Sequence, residues 1–313
     1  MEWRCRMMPC CPRGLRSVPE ALPSGEGQAT AIERVVEGWL LQYAGRSEST
    51  ARRYLQAWND VQGLLHRYGG IGAIGPDEAA EIYWELVHAK SPATANVTAS
   101  AMTQLWDRLA ERGLVRDNPW AGLKRATPKD TTAERILTEE EVGALFKAAA
   151  PGLEKLLVSF LYYTGCRVSE AVSCRWRDVH PDPGGYAVTV YGKGGKTRSV
   201  HLPDHLYGML KRSAVRTGPD DYLIADDEGR PLSRFDARRI LRRIARRADL
   251  DKRVSPHWLR HSHASHALDR GAPPHEVQAT LGHSSLATTT KYLHVRPGRG
   301  SGDVLPTFPE GDS

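Results

Sequence analysis

A chain of 313 residues that is 40% hydrophobic and 26% charged has room for two separate cores. No apolar run in it approaches the length needed to cross a bilayer, which excludes a membrane-spanning helix. The formal net charge of +6 and a pI near 9.1 point toward an anionic partner, nucleic acid foremost, although charge alone would equally suit an ordinary basic soluble protein. Cys5, Cys10 and Cys11 crowd the N-terminus while Cys166 and Cys174 lie far downstream. Without a paired C-x-x-C spacing these five make neither a disulfide framework nor a zinc site, and they suit a reducing compartment.

Residues 1–27 carry four prolines and scattered charge with no apolar periodicity, so they are expected to form a disordered tail rather than a secretory signal. Beyond it, Ile32, Val35, Val36, Trp39, Leu40 and Tyr43 recur on one face of a helix. A second helix follows Ser47-Glu48-Ser49 with Tyr54, Trp58, Val61 and Leu65 inward, and Gly69 to Gly75 break it. A third runs from Pro76 to about Ala89. Ser91-Pro92, an N-cap followed by an N1 proline, opens a fourth that ends near Arg112-Gly113. Four helices over residues 28–117 predict a compact bundle, with Arg52, Arg53, Lys90 and Arg108 as candidate phosphate contacts on it. Residues 118–134 are basic, irregular and proline-containing, and are expected to be an interdomain linker.

Thr138-Glu139-Glu140-Glu141 fits a capping box and opens a second domain, expected over residues 135–297. Leu153 to Tyr163 is a strongly apolar helix closed by Gly165, and Arg167 and Glu170 follow it three residues apart. Spacing alone would make those two a surface ion pair. The β-branched runs Tyr186–Tyr191 and Thr197–Leu202 flank Gly192-Lys193-Gly194-Gly195-Lys196, a hairpin with a basic, glycine-rich turn. That turn lacks the G-x-x-x-x-G-K-[ST] spacing and leads into a strand, so it is no nucleotide loop. From Ser233 to Leu250, Arg234, Arg238, Arg242 and Arg246 recur every four residues, with Arg239, Arg243 and Arg247 on the adjacent row. Clustered guanidinium groups repel one another unless an anion neutralises them. The DNA backbone suits that role, so Arg234, Arg238, Arg239, Arg242, Arg243 and Arg246 are candidate DNA contacts. Residues 298–313, rich in Pro and Gly, read as a flexible C-terminal tail.

Ser255 to Val295 carries the most chemistry. His257 and Arg260 share one helical segment, His283 follows a Leu-Gly turn, and Tyr292 comes nine residues later. A guanidinium can fork onto two phosphate oxygens, imidazoles can donate hydrogen bonds or move protons, and a phenol can attack phosphorus. His257 and His261 stand at i, i+4, the spacing of a zinc pair, but Arg260 between them would oppose a cation and no third ligand is evident, so no metal is assigned. His261 is expected to support the fold, and His263 and His266 to be surface or core residues.

The run H-x-L-R-H, then L-G-H, then tyrosine nine residues on, together with T-G-C-R-V-S-E-A upstream, resembles the tyrosine recombinase (phage integrase) family, Xer-like site-specific recombinases among them. The resemblance implies a mainly α fold with a small antiparallel β-sheet in the catalytic domain, behind an N-terminal helical bundle that grips DNA. It implies Arg167, Lys193, His257, Arg260, His283 and Tyr292 as catalytic residues, with Glu170 holding a neighbouring catalytic side chain. Trp258 stands where the family usually has an acidic residue. The implied activity is cutting and rejoining DNA through a 3′-phosphotyrosine, with no metal or other cofactor. The implied partners are double-stranded DNA bearing paired sites, further copies of the chain in a tetramer, and accessory DNA-bending proteins, in a bacterial cytoplasm. Two alternatives stay open: supercoil relaxation as in type IB topoisomerases, and a catalytically silent DNA-binding protein of the same fold.

Overall fold

The computed structural model describes residues 26–45, 47–192, 195–290 and Tyr292. The expected tails beyond these limits, and Lys193 in the hairpin turn, lie outside the described residues. Two compact units divide the chain, residues 1–129 and 130–313. Among the described residues no helix is long and apolar enough to cross a membrane.

The first unit is built from α1 (Glu26–Ala44), α2 (Glu48–Leu65), α3 (Pro76–Ala89) and α4 (Pro92–Glu111). The starts follow from local chemistry. The Ser47 and Ser91 hydroxyls accept from the amides of Thr50 and Thr94, and the Glu78 carboxylate reaches back to the amide of Gly75. The periodic apolar faces meet in a core that holds Trp39, Trp58, Val61, Ile82, Tyr83, Met102, Leu105 and Trp106.

Residues 118–126, expected to belong to a linker, pack against this bundle. Asn118 donates to the Thr103 carbonyl and accepts from the amide of Trp120, whose indole is 1% exposed with its ring centroid 5.8 Å from that of Trp106. Further on, the Tyr83 hydroxyl accepts from the Ala126 amide while Asn96 donates to the Ala126 carbonyl. An irregular backbone can be buried when side chains satisfy its polar groups, and these do.

The second unit opens with α5 (Glu139–Ala148), begun by the expected Thr138–Glu141 capping box. Next come α6 (Leu153–Thr164) and the short α7 (Val168–Ala171). The strands β1 (Val179–Asp182), β2 (Gly185–Tyr191) and β3 (Thr197–Leu202) form an antiparallel sheet in the order β1-β2-β3. Then α8 (Asp204–Ser213), α9 (Arg234–Arg247), α10 (Pro256–Asp269), α11 (Pro274–Leu281) and α12 (Leu286–Thr290) complete the described residues. The expected hairpin therefore gains a third strand. β1 has four residues and a proline, too little pattern to read as a strand alone, and pairing with β2 stabilises it.

α6 is mostly apolar and buried around most of its circumference, with Leu156, Leu157, Val158, Phe160 and Leu161 in the core and Glu154 buried in its first turn. Val188 and Val190 of β2, and Val200 and Leu202 of β3, line the core face of the sheet, and Val188 pairs with Val200. α9 adds Ala237, Ile240, Leu241, Ile244 and Ala245. The candidate residues project from the edges of this core, so a rigid scaffold sets their spacing.

Trp120 separates a packed segment from a linker. Trp120→Ala should lower the unfolding free energy of the first unit by about 3–5 kcal/mol in urea titration, the usual cost of emptying a buried aromatic site. A change below about 0.5 kcal/mol, typical of an exposed position, would contradict the packing described.

Candidate active site

The α6 helix ends at Gly165, whose φ of +59° is a left-handed conformation that glycine adopts without strain. A β-carbon here would also come within 2.7 Å of His263 and of Leu281. This tight turn delivers Arg167 to the start of α7. The Glu170 carboxylate accepts from both the amide of Arg167 (2.8 Å) and its guanidinium (2.9 Å). The spacing therefore does make an ion pair, but one anchored below the surface: Glu170 is 3% exposed at its side chain while that of Arg167 remains 41% exposed. Burial alone would raise the pKa of Glu170. Bonds from Arg198 and Arg167 outweigh it and hold the carboxyl down to about 2.

Arg260, on α10, is buried. Its guanidinium donates 2.7 Å hydrogen bonds to the carbonyls of Gly165 and Leu281, tying the turn before Arg167 to the turn before His283. Burial, with the nearby Arg167 charge, lowers its pKa to about 10, so it stays cationic at neutral pH. His283 follows Gly282, another left-handed glycine, and its Nδ1 meets the Thr289 hydroxyl at 2.9 Å. Desolvation, then Arg260 and Arg167, lower its pKa to about 4. His257 stands in the first turn of α10. Although the residue is exposed overall, lost hydration around its ring and the charges of Arg260, Arg238, Arg167 and Arg135 lower its pKa too.

Tyr292 is 4% exposed, and its hydroxyl lies 2.5 Å from Nδ1 of His261. Burial raises the phenol's pKa, whereas burial together with His257, Arg135 and Arg260 lowers that of His261 to about 4. A neutral phenol therefore donates to a neutral imidazole. His261, expected only to support the fold, is the hydrogen-bond partner of Tyr292, because one further turn along α10 brings its ring to the phenol. Its ring centroid is 6.3 Å from that of His257. His263 and His266 belong to the interior: Nδ1 of His263 meets the Tyr162 carbonyl and Nδ1 of His266 the Tyr162 hydroxyl. Among the described residues no group of three His, Cys, Asp or Glu side chains is placed to hold a metal ion.

Sequence reasoning passed over Arg198. On β3 it pairs across from Val190, in alternation with inward-facing Val200 and Leu202. A charged residue at an inward register position was the available signal. Its guanidinium reaches both oxygens of Glu170 and the Thr280 carbonyl.

The arginine helix divides. Arg243 donates twice to Glu154, and Arg247 pairs with the same buried carboxylate. These bonds take part of each guanidinium, while the Arg243 side chain stays 53% exposed and that of Arg247 42%, so this row is anchored on Glu154 at the protein surface. Arg239 pairs with Asp236, and the Arg234 guanidinium lies 5.1 Å from the Phe235 ring centroid. Arg238, Arg242 and Arg246 are exposed and form no ion pair among the described residues. Arg238 and Arg242 share a depression with Val168, Ser255 and His257, beside the catalytic candidates. In the first unit, Arg52 pairs with Glu48, Lys90 with Asp60, and Arg108 donates to Gln42.

With this geometry in hand, known proteins supply the context. Residues 135–299 match the Phage integrase family. A tyrosine recombinase of Thermosipho africanus is 30% identical over 279 residues, covering 84% of this chain and 96% of that protein. The chain belongs to the phage integrase family. Tyrosine recombinase XerD of Corynebacterium glutamicum is 40% identical over 148 residues, 45% of this chain and 48% of that relative. Among solved structures, a lambda integrase tetramer bound to a Holliday junction has a TM-score of 0.67 at 19% identity, covering 86% of this chain and 79% of that one. The fold expected from sequence, mainly helical with a small antiparallel sheet, is the fold found. As a tyrosine recombinase, the protein is a DNA strand-transfer enzyme that acts site-specifically.

The division of α9 is testable by salt titration. Reversing Arg238 and Arg242 to Glu should flatten the log–log salt dependence of DNA binding by about 1.8 units, two phosphate contacts at roughly 0.9 each. Replacing Arg243 and Arg247 by Ala should leave the slope in place and lower stability instead. Equal slopes for parent and the Arg238/Arg242 variant would remove that face from the DNA backbone.

Proposed function

We propose that Arg167, Lys193, His257, Arg260, His283 and Tyr292 form one active site that breaks and rejoins DNA by two transesterifications. The observation that carries this reading is the reach of one buried side chain. Arg260 donates to the Gly165 and Leu281 carbonyls, which ties the turns before Arg167 and His283 to α10, and the Tyr292 hydroxyl bonds His261 on that same helix.

In this reading the Tyr292 oxygen attacks the scissile phosphorus. Its bond forms as the bond to the 5′-oxygen breaks, leaving a 3′-phosphotyrosine and a 5′-hydroxyl. Arg167 and Arg260 stabilise charge developing on the non-bridging oxygens, and His283 donates a further hydrogen bond. His257 accepts the phenol's proton, and Lys193 delivers a proton to the departing 5′-oxygen. Because Tyr292 is held on His261 and covered, the phenol shifts from that bond to reach a phosphate. Attack by a 5′-hydroxyl from a second strand reverses the chemistry, and the bond energy kept in the phosphotyrosine drives rejoining. Glu170 sets Arg167 from below, and the exposed arginines of α9 hold the backbone beside the cut.

Exchange between duplexes needs two paired sites and several copies of the chain. A tetramer on DNA provides that arrangement, with accessory DNA-bending proteins selecting direction, in the cytoplasm of a bacterium. The likeness to a lambda integrase tetramer supports a fold able to assemble so. We take a helical bundle from α1 through residue 126, a catalytic domain over residues 135–297 and tails at either end as the domain plan behind this activity.

The test combines two marked duplexes carrying candidate sites with the parent protein and with Tyr292→Phe. The parent should yield a covalent protein–DNA adduct and joints between the two duplexes. Tyr292→Phe should retain folding and DNA affinity and give neither. Relaxation of supercoils without joints would instead mark a topoisomerase, and adduct from Tyr292→Phe would remove Tyr292 as nucleophile.

A further inference from the structure

Glu170 is a single buried carboxylate between two guanidinium groups. Its Oε1 accepts from Arg167 at 2.9 Å and from Arg198 at 3.1 Å, and its Oε2 accepts from the Arg167 amide and from Arg198, both at 2.8 Å. Arg198 has a third anchor: its Nε donates to the Thr280 carbonyl at 2.6 Å. Its stem also runs under Gly282, where a β-carbon would meet Arg198 Cδ at 3.1 Å. One side chain, 13% exposed, therefore touches the support of Arg167 and the turn that presents His283.

The charges explain why two arginines share one acid. Alone with Glu170, Arg167 would form a one-to-one pair with a desolvated carboxylate, and its charge would be spent inside the protein. With Arg198 taking both oxygens from the buried side, Glu170 is neutralised from below. The three groups keep a net positive charge, and Arg167, the more exposed guanidinium, is the one that presents it outward.

We propose that Arg198 is a positioning residue for strand transfer, sharing the Glu170 carboxylate so that Arg167 stays available to the scissile phosphate and clamping the turn that carries His283. The proposal rests on the assignment of Arg167 as a phosphate-binding residue. Arg198 itself touches no DNA in this account. Its loss lets Glu170 draw Arg167 inward and weakens stabilisation of the phosphoryl charge.

The test uses the full chain, nicked duplex substrates that trap the covalent adduct, and two chemistries at the scissile position: an ordinary phosphate, and a methylphosphonate in which one charged non-bridging oxygen is replaced by methyl. Arg198→Met keeps the aliphatic stem and should slow adduct formation on the phosphate about 10- to 100-fold, the scale of a small misplacement of a catalytic group. On the methylphosphonate, which needs less cationic stabilisation, the variant should approach the parent's rate, and Arg167→Ala should show the same relief. Adding Glu170→Gln to Arg198→Met should recover rate on the ordinary phosphate, because the acid that captures Arg167 has lost its charge.

If Arg198→Met is equally slow on both substrates while Arg167→Ala is relieved, or if Glu170→Gln deepens the defect, Arg198 only supports the fold and the proposal fails. If Arg167→Ala is not relieved by the methylphosphonate, the assignment of Arg167 fails instead. Should Arg198→Met not fold, Arg198→Lys decides the matter. It keeps the charge but cannot span both Glu170 and Thr280, so the same split between substrates should appear at smaller amplitude, and an equal loss on both would overturn the proposal.

Discussion

Positive charge held together without a matching number of acids is the constraint on which the second unit depends. Arg167, Arg198 and Arg260 converge with Glu170 as the carboxylate among them. Burying a guanidinium is costly unless its N–H groups are satisfied. Arg260 meets the condition with two carbonyls, each at the end of a helix closed by a left-handed glycine. The tight glycine turns are therefore part of the charge arrangement: they aim Gly165 and Leu281 oxygens at a cation that would otherwise be unsolvated.

Burial and this field together set the protonation of the groups nearby. With little water and cations around them, His261 and His283 are lowered to pKa values of about 4, and burial pushes Tyr292 up against the pull of Arg260. All three are neutral at physiological pH. A phosphodiester entering this centre would bring the negative charge that the cluster lacks, raising histidine pKa values and strengthening every N–H donor at once. Binding and activation then share one cause, in keeping with catalysis by preorganised electrostatics.

Much of this was legible in the sequence, and the gaps have physical reasons. Helices with one apolar face announced themselves by period, and α6 by a run from Leu156 to Tyr163 that only Ser159 interrupts. Arg167, His257, Arg260, His283 and Tyr292 could be picked out because their chemistry sits in short motifs. What escaped depends on partners far apart along the chain. Glu154 lies 89 residues from Arg243 and anchors it by an ion pair, so a uniform arginine row became a divided one. His261 lies 31 residues from Tyr292, and only folding brings the imidazole to the phenol. Trp120 looked like part of a linker because nothing local reveals that Trp106 and Asn118 would bury it. Arg198 was readable in principle, since strand alternation puts it on the inward face beside Val200 and Leu202. Short elements such as β1, α11 and α12 carry too few residues for a period to show.

The central claim is that one phenol, Tyr292, becomes covalently joined to DNA. It is tested most directly by trapping the protein on a nicked site whose leaving strand diffuses away, digesting protein and DNA, and locating the modified residue by mass spectrometry. The account predicts a 3′-phosphonucleotide on the peptide containing Tyr292. A nucleotide on any other residue, or cleaved DNA with no covalent peptide, would contradict it.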